Sequence, residues 1–314
     1  MKINLISFIL LTIISTIAAQ QKQVCFTLDD LPFVALNHKE INFQTDATIK
    51  TLAILNNYKI PAAGFVNECK LYNDEQIDSQ KVNILKLWLK AGMDLGNHTF
   101  SHPDFHKISC SVFFEDIQKN ENVTKSLLLK AGKSFNYFRH PFLHIGETKE
   151  KADSLNVFLK NKNYVEAPVT IDNSDWIFNK AYDTALLNSD TVLMKSIGDE
   201  YINYMEDKLH YYEKQSMELF GYFIKQILLL HANALNADYL DKLAAMYKRN
   251  NYEFISINEA LKDPAYLNEV TVFKKWGISW LDRWALSRGM KRDFFKDDPV
   301  TPAFIMKLAN VESE

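Results

Sequence analysis

The chain lacks the marks of several familiar protein classes. Its three cysteines, Cys25, Cys69 and Cys110, are odd in number and show no CxxC spacing, so neither a disulfide framework nor a cysteine zinc site is indicated. One disulfide with a free thiol, or three buried thiols, would both fit; small core side chains are the simpler reading. Positive charge is not in excess: 36 Lys and Arg stand against 39 Asp and Glu, a net charge of −3. That argues against a nucleic-acid binder, which carries a basic face. There is no low-complexity tract, no long Gly/Ser linker and no block of like charge. The one long apolar run, INLISFILLTIISTIAA, follows Lys2 and gives way to QQKQ. It is at the short end for a membrane span and has no positive flank on its far side. A membrane anchor or a buried helix would be alternatives. With Ala18 and Ala19 near a plausible cut, residues 1–19 read as a signal peptide. The expected mature protein is exported, periplasmic or extracellular, with no stable membrane span.

What the chain does have is alternation. Short apolar runs that read as strands occur at 23–28, 62–67, 93–97, 135–139, 164–171, 226–231 and 253–257. Between them lie segments with helical spacing, among them TDATIKTLAILNNY, DSQKVNILKLWLKAG and VFFEDIQKNENVTKSLLLKAG. Strands alternating with helices imply βαβ units and a parallel sheet. Seven of them suggest an α/β fold with a closed or nearly closed (β/α) barrel. The expected layout is a barrel over 20–263, with a helical insert at about 177–225 that forms a lid or a wall, and a helical appendix over 264–314 without catalytic signals.

In a parallel barrel the loops after the strands converge on one face, where chemistry sits. The residues just past the strands here are Asp29 and Asp30, Asn67 and Glu68, His98 and His102, Arg139, Asp172 and Asp175, and His231. Nearly all can ligate metal or move protons. The stretch LGNHTFSHPDFH places His98 and His102 four apart, so that on a helical turn both imidazoles project from one face. Two neutral imidazoles and a carboxylate make a set of three donors that leaves positions open for water and substrate. An Asp pair at a strand end could be a helix cap, but no cap requires both. One carboxylate can ligate a metal while its neighbour accepts a proton from metal-activated water.

The order FTLDDLP, HTFSH, RHPF, DNSDW, LLH resembles the five ordered motifs of the NodB-type polysaccharide deacetylases, carbohydrate esterase family four. The resemblance covers residues 26–231. It implies a distorted, incomplete (β/α) barrel of about seven parallel strands and a metal-dependent hydrolase that removes N- or O-linked acetyl groups from a glycan or small acetylated sugar. It implies a divalent metal, most readily Zn2+ with Co2+ or Ni2+ as alternatives, held by Asp30, His98 and His102. Asp29 would be the general base, kept ionised and oriented by Arg139. Phe142, after Pro141, would offer its backbone N–H to the oxyanion. His231 would be the general acid, kept protonated by Asp175, and Trp176 would wall the acetyl pocket. Leu31 departs from the glycine usual in the family and is expected to crowd the approach to base and metal.

The remaining polar residues take blander readings. His140 and His144 flank Pro141-Phe142 and could touch substrate, whereas His106 reads as a loop residue. Asn67 and Glu68 could line the groove or cap a helix. Asn97-His98-Thr99 matches the glycosylation triplet, but a glycan there would block the metal site, so Asn97 is expected to be unmodified. Two other functions stay open. One is a glycan-binding relative without turnover; the other is an amidohydrolase for a small non-sugar amide, which a closed pocket would favour over an open aromatic groove.

Overall fold

The computed structural model describes residues 21–314; the segment read as a signal peptide lies outside the described residues. Seven parallel strands form one curled sheet. They are β1 (Lys22–Leu31), β2 (Ala63–Val66), β5 (Asp94–Asn97), β6 (Tyr137–Phe138), β7 (Val165–Glu166), β8 (Gln226–His231) and β9 (Tyr252–Phe254). A small antiparallel hairpin, β3 (Tyr72–Asn73) with β4 (Gln76–Ile77), lies apart. The order is β7-β6-β5-β2-β1-β8, and β9 pairs with the start of β1. The barrel is incomplete because no ladder joins β7 to β8. Instead the chain after β7 swings back, and a single bridge, Ile171 to Leu228, spans the gap.

The helices between the strands are α1 (Ile41–Asn57), α2 (Ser79–Lys90), α3 (Cys110–Lys119), α4 (Thr124–Lys130), α5 (Lys149–Asn161), α6 (Asp175–Leu187), α7 (Thr191–Phe220) and α8 (Ala234–Arg249). Beyond β9 come α9 (Ile257–Ala260), α10 (Trp280–Ser287), α11 (Arg292–Phe295) and α12 (Ala303–Ala309). No helix among the described residues is long and apolar enough to cross a membrane. The segment expected to be one helix over 112–132 is two, α3 and α4. The cause is buried polar chemistry at the break. Asn120 accepts from the Glu68 N–H and donates to the Val66 carbonyl, while the Glu68 carboxylate accepts from the N–H groups of Val123 and Thr124. Those bonds satisfy the orphan donors of α4 and end α3.

Strand periodicity explains where the site sits. On β1, Val24, Phe26 and Leu28 face the helices in the main core, whereas Cys25 packs with Ala63, Phe65, Ala167 and Ile227 in the barrel interior. Successive side chains alternate, so Thr27 and then Asp29 also point inward. On β5, Gly96 faces Phe65 so closely that a Cβ there would lie 2.5 Å from the ring. Two residues on, His98 is buried in the same interior.

Candidate active site and metal centre

Asp29 is the last inward residue of β1 and is almost fully buried. Arg139, at the end of β6, donates from Nη1 to Asp29 Oδ2 at 3.4 Å, from Nη2 to Thr27 Oγ1 at 2.9 Å and from Nε to the Ala167 carbonyl at 2.7 Å. The guanidinium is thus held by two other partners, Thr27 on β1 and Ala167 just past β7, besides the carboxylate. Burial pushes the Asp29 carboxyl up to about 6, with Arg139 pulling it back. Arg139 therefore offsets burial without overcoming it. Asp29 Oδ1 has no hydrogen-bond partner, and Asp29 lines the cavity.

Asp30 turns the other way because its backbone is left-handed, with φ 69°. Its carboxylate lies 3.3 Å from Lys70 Nζ and 3.8 Å from His102 Nε2. Burial works to raise its pKa, but Lys70 and the imidazoles hold it below the usual carboxylate range. His98 Nδ1 donates to the Arg139 carbonyl at 2.9 Å, which fixes the tautomer and leaves the Nε2 lone pair free for a cation. Burial, with His102 alongside, keeps His98 neutral, and His102 is also lowered by burial. The two rings stand at 71° with centroids 4.8 Å apart. Ligand atoms of Asp30, His98 and His102 all lie within 4.8 Å of one another. Two neutral nitrogens, one of them oriented by the Arg139 carbonyl, and an ionised carboxylate fit a divalent cation; Lys70, partly exposed, also donates to the Asp30 carbonyl at 2.9 Å.

At the end of β8, His231 Nδ1 donates to Asp175 Oδ1 at 2.6 Å, and Asp175 Oδ2 accepts from the His231 N–H and from Asn236 Nδ2. Burial would lower the His231 pKa, but the Asp175 charge and hydrogen bond raise it to about 9. The short turn Pro141–Leu143 completes the set. Phe142 and Leu143 both hold left-handed φ, 56° and 55°, a strain of about 1–2 kcal/mol each for non-glycine residues. No hydrogen bond takes up the Phe142 N–H among the described residues, and its ring lies 4.5 Å from that of His102.

The cavity, about 780 Å³, is lined by Asp29, Asp30, His98, His102, His140, Phe142, Trp176 and His231. Its far wall comes from the α6–α7 insert, through Asn179, Lys180, Lys208 and Tyr212, and from the C-terminal appendix, through Gly277, Ile278, Asp282 and Asp298. Asp172 lies there too, its carboxyl raised to about 7 by burial.

Several expectations need correction. Leu31 is fully buried against Gly64 and Trp88 and does not line the cavity, because the turn at Asp30 sends it into the core. Pro141 is buried and starts the turn without lining the cavity. Asn67 and Glu68 are buried and do not line the cavity; Glu68 caps α4, in line with the helix-cap reading, and Asn67 donates to the carbonyls of His98 and Thr99. His106 lies in a loop as expected, buried there and stacked on His144, whereas His144 donates to Asp104 rather than reaching the cavity. The appendix, read from the sequence as without catalytic signals, forms part of the wall. In keeping with the expectation that it is unmodified, Asn97 is buried and its amide donates to Ile117 O and Tyr164 Oη. The sequence reading missed Lys70, Asn236 and Lys208, which carry no motif, and Thr27, which lies within FTLDDLP but was given no role.

Comparison with known proteins fits this geometry. The polysaccharide deacetylase family model matches residues 16–157. Those residues carry the first three motifs, and the chain resembles the NodB-type deacetylases there. The structure of the chitin deacetylase from the fungal pathogen Colletotrichum lindemuthianum is similar at 20% identity and a TM-score of 0.52, over 78% of this chain and 90% of that one. A pseudoenzyme of carbohydrate esterase family four from Bacillus anthracis is similar at 16% identity and a TM-score of 0.51, over 77% of this chain and 66% of that one. A mutant of that pseudoenzyme with restored enzymatic activity matches at 17% identity and a TM-score of 0.50, over 77% and 68%. The fold is therefore the incomplete (β/α) barrel of this esterase family. No curated protein matches the sequence.

Proposed function

We propose that the protein is an exported, divalent-metal-dependent hydrolase that removes acetyl groups from a carbohydrate. One observation carries the reading: residues from four separated strand ends, β1, β5, β6 and β8, meet around one cavity as a base, a ligand set, a free backbone donor and a charged histidine. Asp30, His98 and His102 would hold the cation, and zinc suits two imidazoles and a carboxylate best. When bound, it would polarise the acetyl carbonyl and acidify water.

The chain's own groups do the rest. Asp29, ionised at neutral pH yet more basic than a free carboxylate, takes the proton of the attacking water. Arg139 holds its orientation. The Phe142 N–H donates to the oxygen that gains charge as the acetyl carbon becomes tetrahedral. His231, protonated up to about pH 9 by its Asp175 partner, delivers a proton to the leaving nitrogen or oxygen. Trp176, 44% exposed on the cavity rim, offers a flat apolar face to the acetyl group or sugar ring.

A cavity of about 780 Å³ with walls from the insert and the appendix lies within the range of small-ligand sites. That favours a short acetylated saccharide or a chain end over the middle of a long polymer. The likeness to a pseudoenzyme gives a second reading, glycan binding without turnover. Asp29 and His231 both stand in place against it. Acetate release from N-acetylated chitooligosaccharides and acetylated xylooligosaccharides, by zinc-loaded protein and by Asp29→Asn, decides between them. Turnover lost in the variant supports the hydrolase; saccharide binding with no acetate from either protein supports the binder.

A further inference from the structure

Arg283 lies in α10, well beyond the five motifs. It is a fully buried guanidinium whose Nε and Nη1 have no hydrogen-bond partner; the charges of Glu166, Asp282 and Asp172 act on it only from farther off, and its Cζ lies 5.5 Å from the Trp280 ring. Burial lowers its pKa to about 10. A buried cation with two open donors is costly, so its placement asks for a reason. Its Nη2 donates to two carbonyls at 2.8 Å, that of Leu143 and that of Trp276. Leu143 is the second of the two left-handed residues in the Phe142 turn. The next residue after Trp276, Gly277, presses its backbone on the same turn: a Cβ there would lie 2.2 Å from the Phe142 carbonyl oxygen. On the other side, His144 donates to Asp104, two residues past His102.

We infer that Arg283, with Gly277, is a positioning residue that holds the Phe142 turn in its strained conformation so that the Phe142 N–H is aimed into the cavity. The appendix is then part of the catalytic apparatus, acting through the turn and not on substrate. The inference rests on the proposed role of the Phe142 N–H, and two left-handed residues in succession need such a restraint. The neighbouring backbone bonds, Leu143 N–H to His140 O and His144 N–H to Pro141 O, would loosen without it.

The test uses zinc-loaded Arg283→Met, Arg283→Lys and Gly277→Ala proteins, with 4-nitrophenyl acetate and an N-acetylated chitooligosaccharide as probes. The expected result is a fall in kcat of about tenfold or more in Arg283→Met, with KM and zinc content unchanged, partial recovery in Arg283→Lys, and a similar loss in Gly277→Ala. Amide hydrogen exchange at Leu143 and His144 should quicken in Arg283→Met. Unchanged kcat, or a loss that follows zinc content or KM instead, would overturn the inference. Should the wild-type protein release no acetate, the deacetylase reading fails. The clamp is then judged by exchange alone: quickened amides uphold it and unchanged amides overturn it.

Discussion

Two clusters in this molecule have the same composition, one aspartate and two histidines with potential ligand atoms within 4.8 Å of one another: Asp30, His98 and His102, and Asp104, His106 and His144. They are not equivalent. In the first, the rings stand at 71° and the His98 Nε2 lone pair is freed by the bond from Nδ1 to Arg139 O. The Asp30 carboxylate has only looser contacts, at 3.3 and 3.8 Å. In the second, the rings are stacked at 3.7 Å and 14°, so their lone pairs run side by side instead of meeting at a point. Asp104 already accepts from His144 Nδ1 and the His106 N–H and pairs with Lys107. Only the first cluster lines the cavity. Proximity of ligand types is therefore a weak criterion for a metal site, and convergence of lone pairs, with a carboxylate not already hydrogen-bonded to the cluster's own histidine, is a stronger one. The second cluster is a brace between the loop that carries His102 and the turn that carries Phe142.

The largest expected effect falls on the first cluster and its base. His98→Ala should abolish stoichiometric zinc binding, measured by elemental analysis, and with it acetate release. Asp29→Asn should keep the zinc and lower kcat by roughly 10²–10⁴-fold, which separates base from ligand. Next comes the acid. His231 must be protonated to act, and its pKa of about 9 depends on Asp175. Activity should hold through neutral pH and fall as pH passes about 9. In Asp175→Asn the alkaline limb of kcat/KM should move down toward the ordinary histidine value near 6.5. An unmoved limb would remove His231 from the acid role. The smallest effect belongs to the brace: Asp104→Asn should retain zinc and cost about 1–2 kcal/mol of stability through the lost charged hydrogen bond, read from denaturant midpoints.

How much of this was legible in the sequence follows from what is local. The inward period of β1, ending at Asp29, and the apolar run of β8, ending at His231, are carried by neighbouring residues, and so the seven strands and their polar ends could be read directly. Leu31 was misplaced because a left-handed Asp30 breaks the alternation, and nothing local announces that backbone state in a non-glycine residue. The break between α3 and α4 was hidden because Glu68 supplies the cap from another part of the chain. Arg283 and Lys70 were invisible for the same reason: each acts on a group far away in sequence, and arginine or lysine in a helix or loop ordinarily reads as solvated surface.

The most direct test is the zinc content of the purified protein beside His98→Ala and His106→Ala. The account predicts one zinc per chain in the wild type, none in His98→Ala and one in His106→Ala. Two zinc ions in the wild type, or loss of the ion in His106→Ala with retention in His98→Ala, would contradict it.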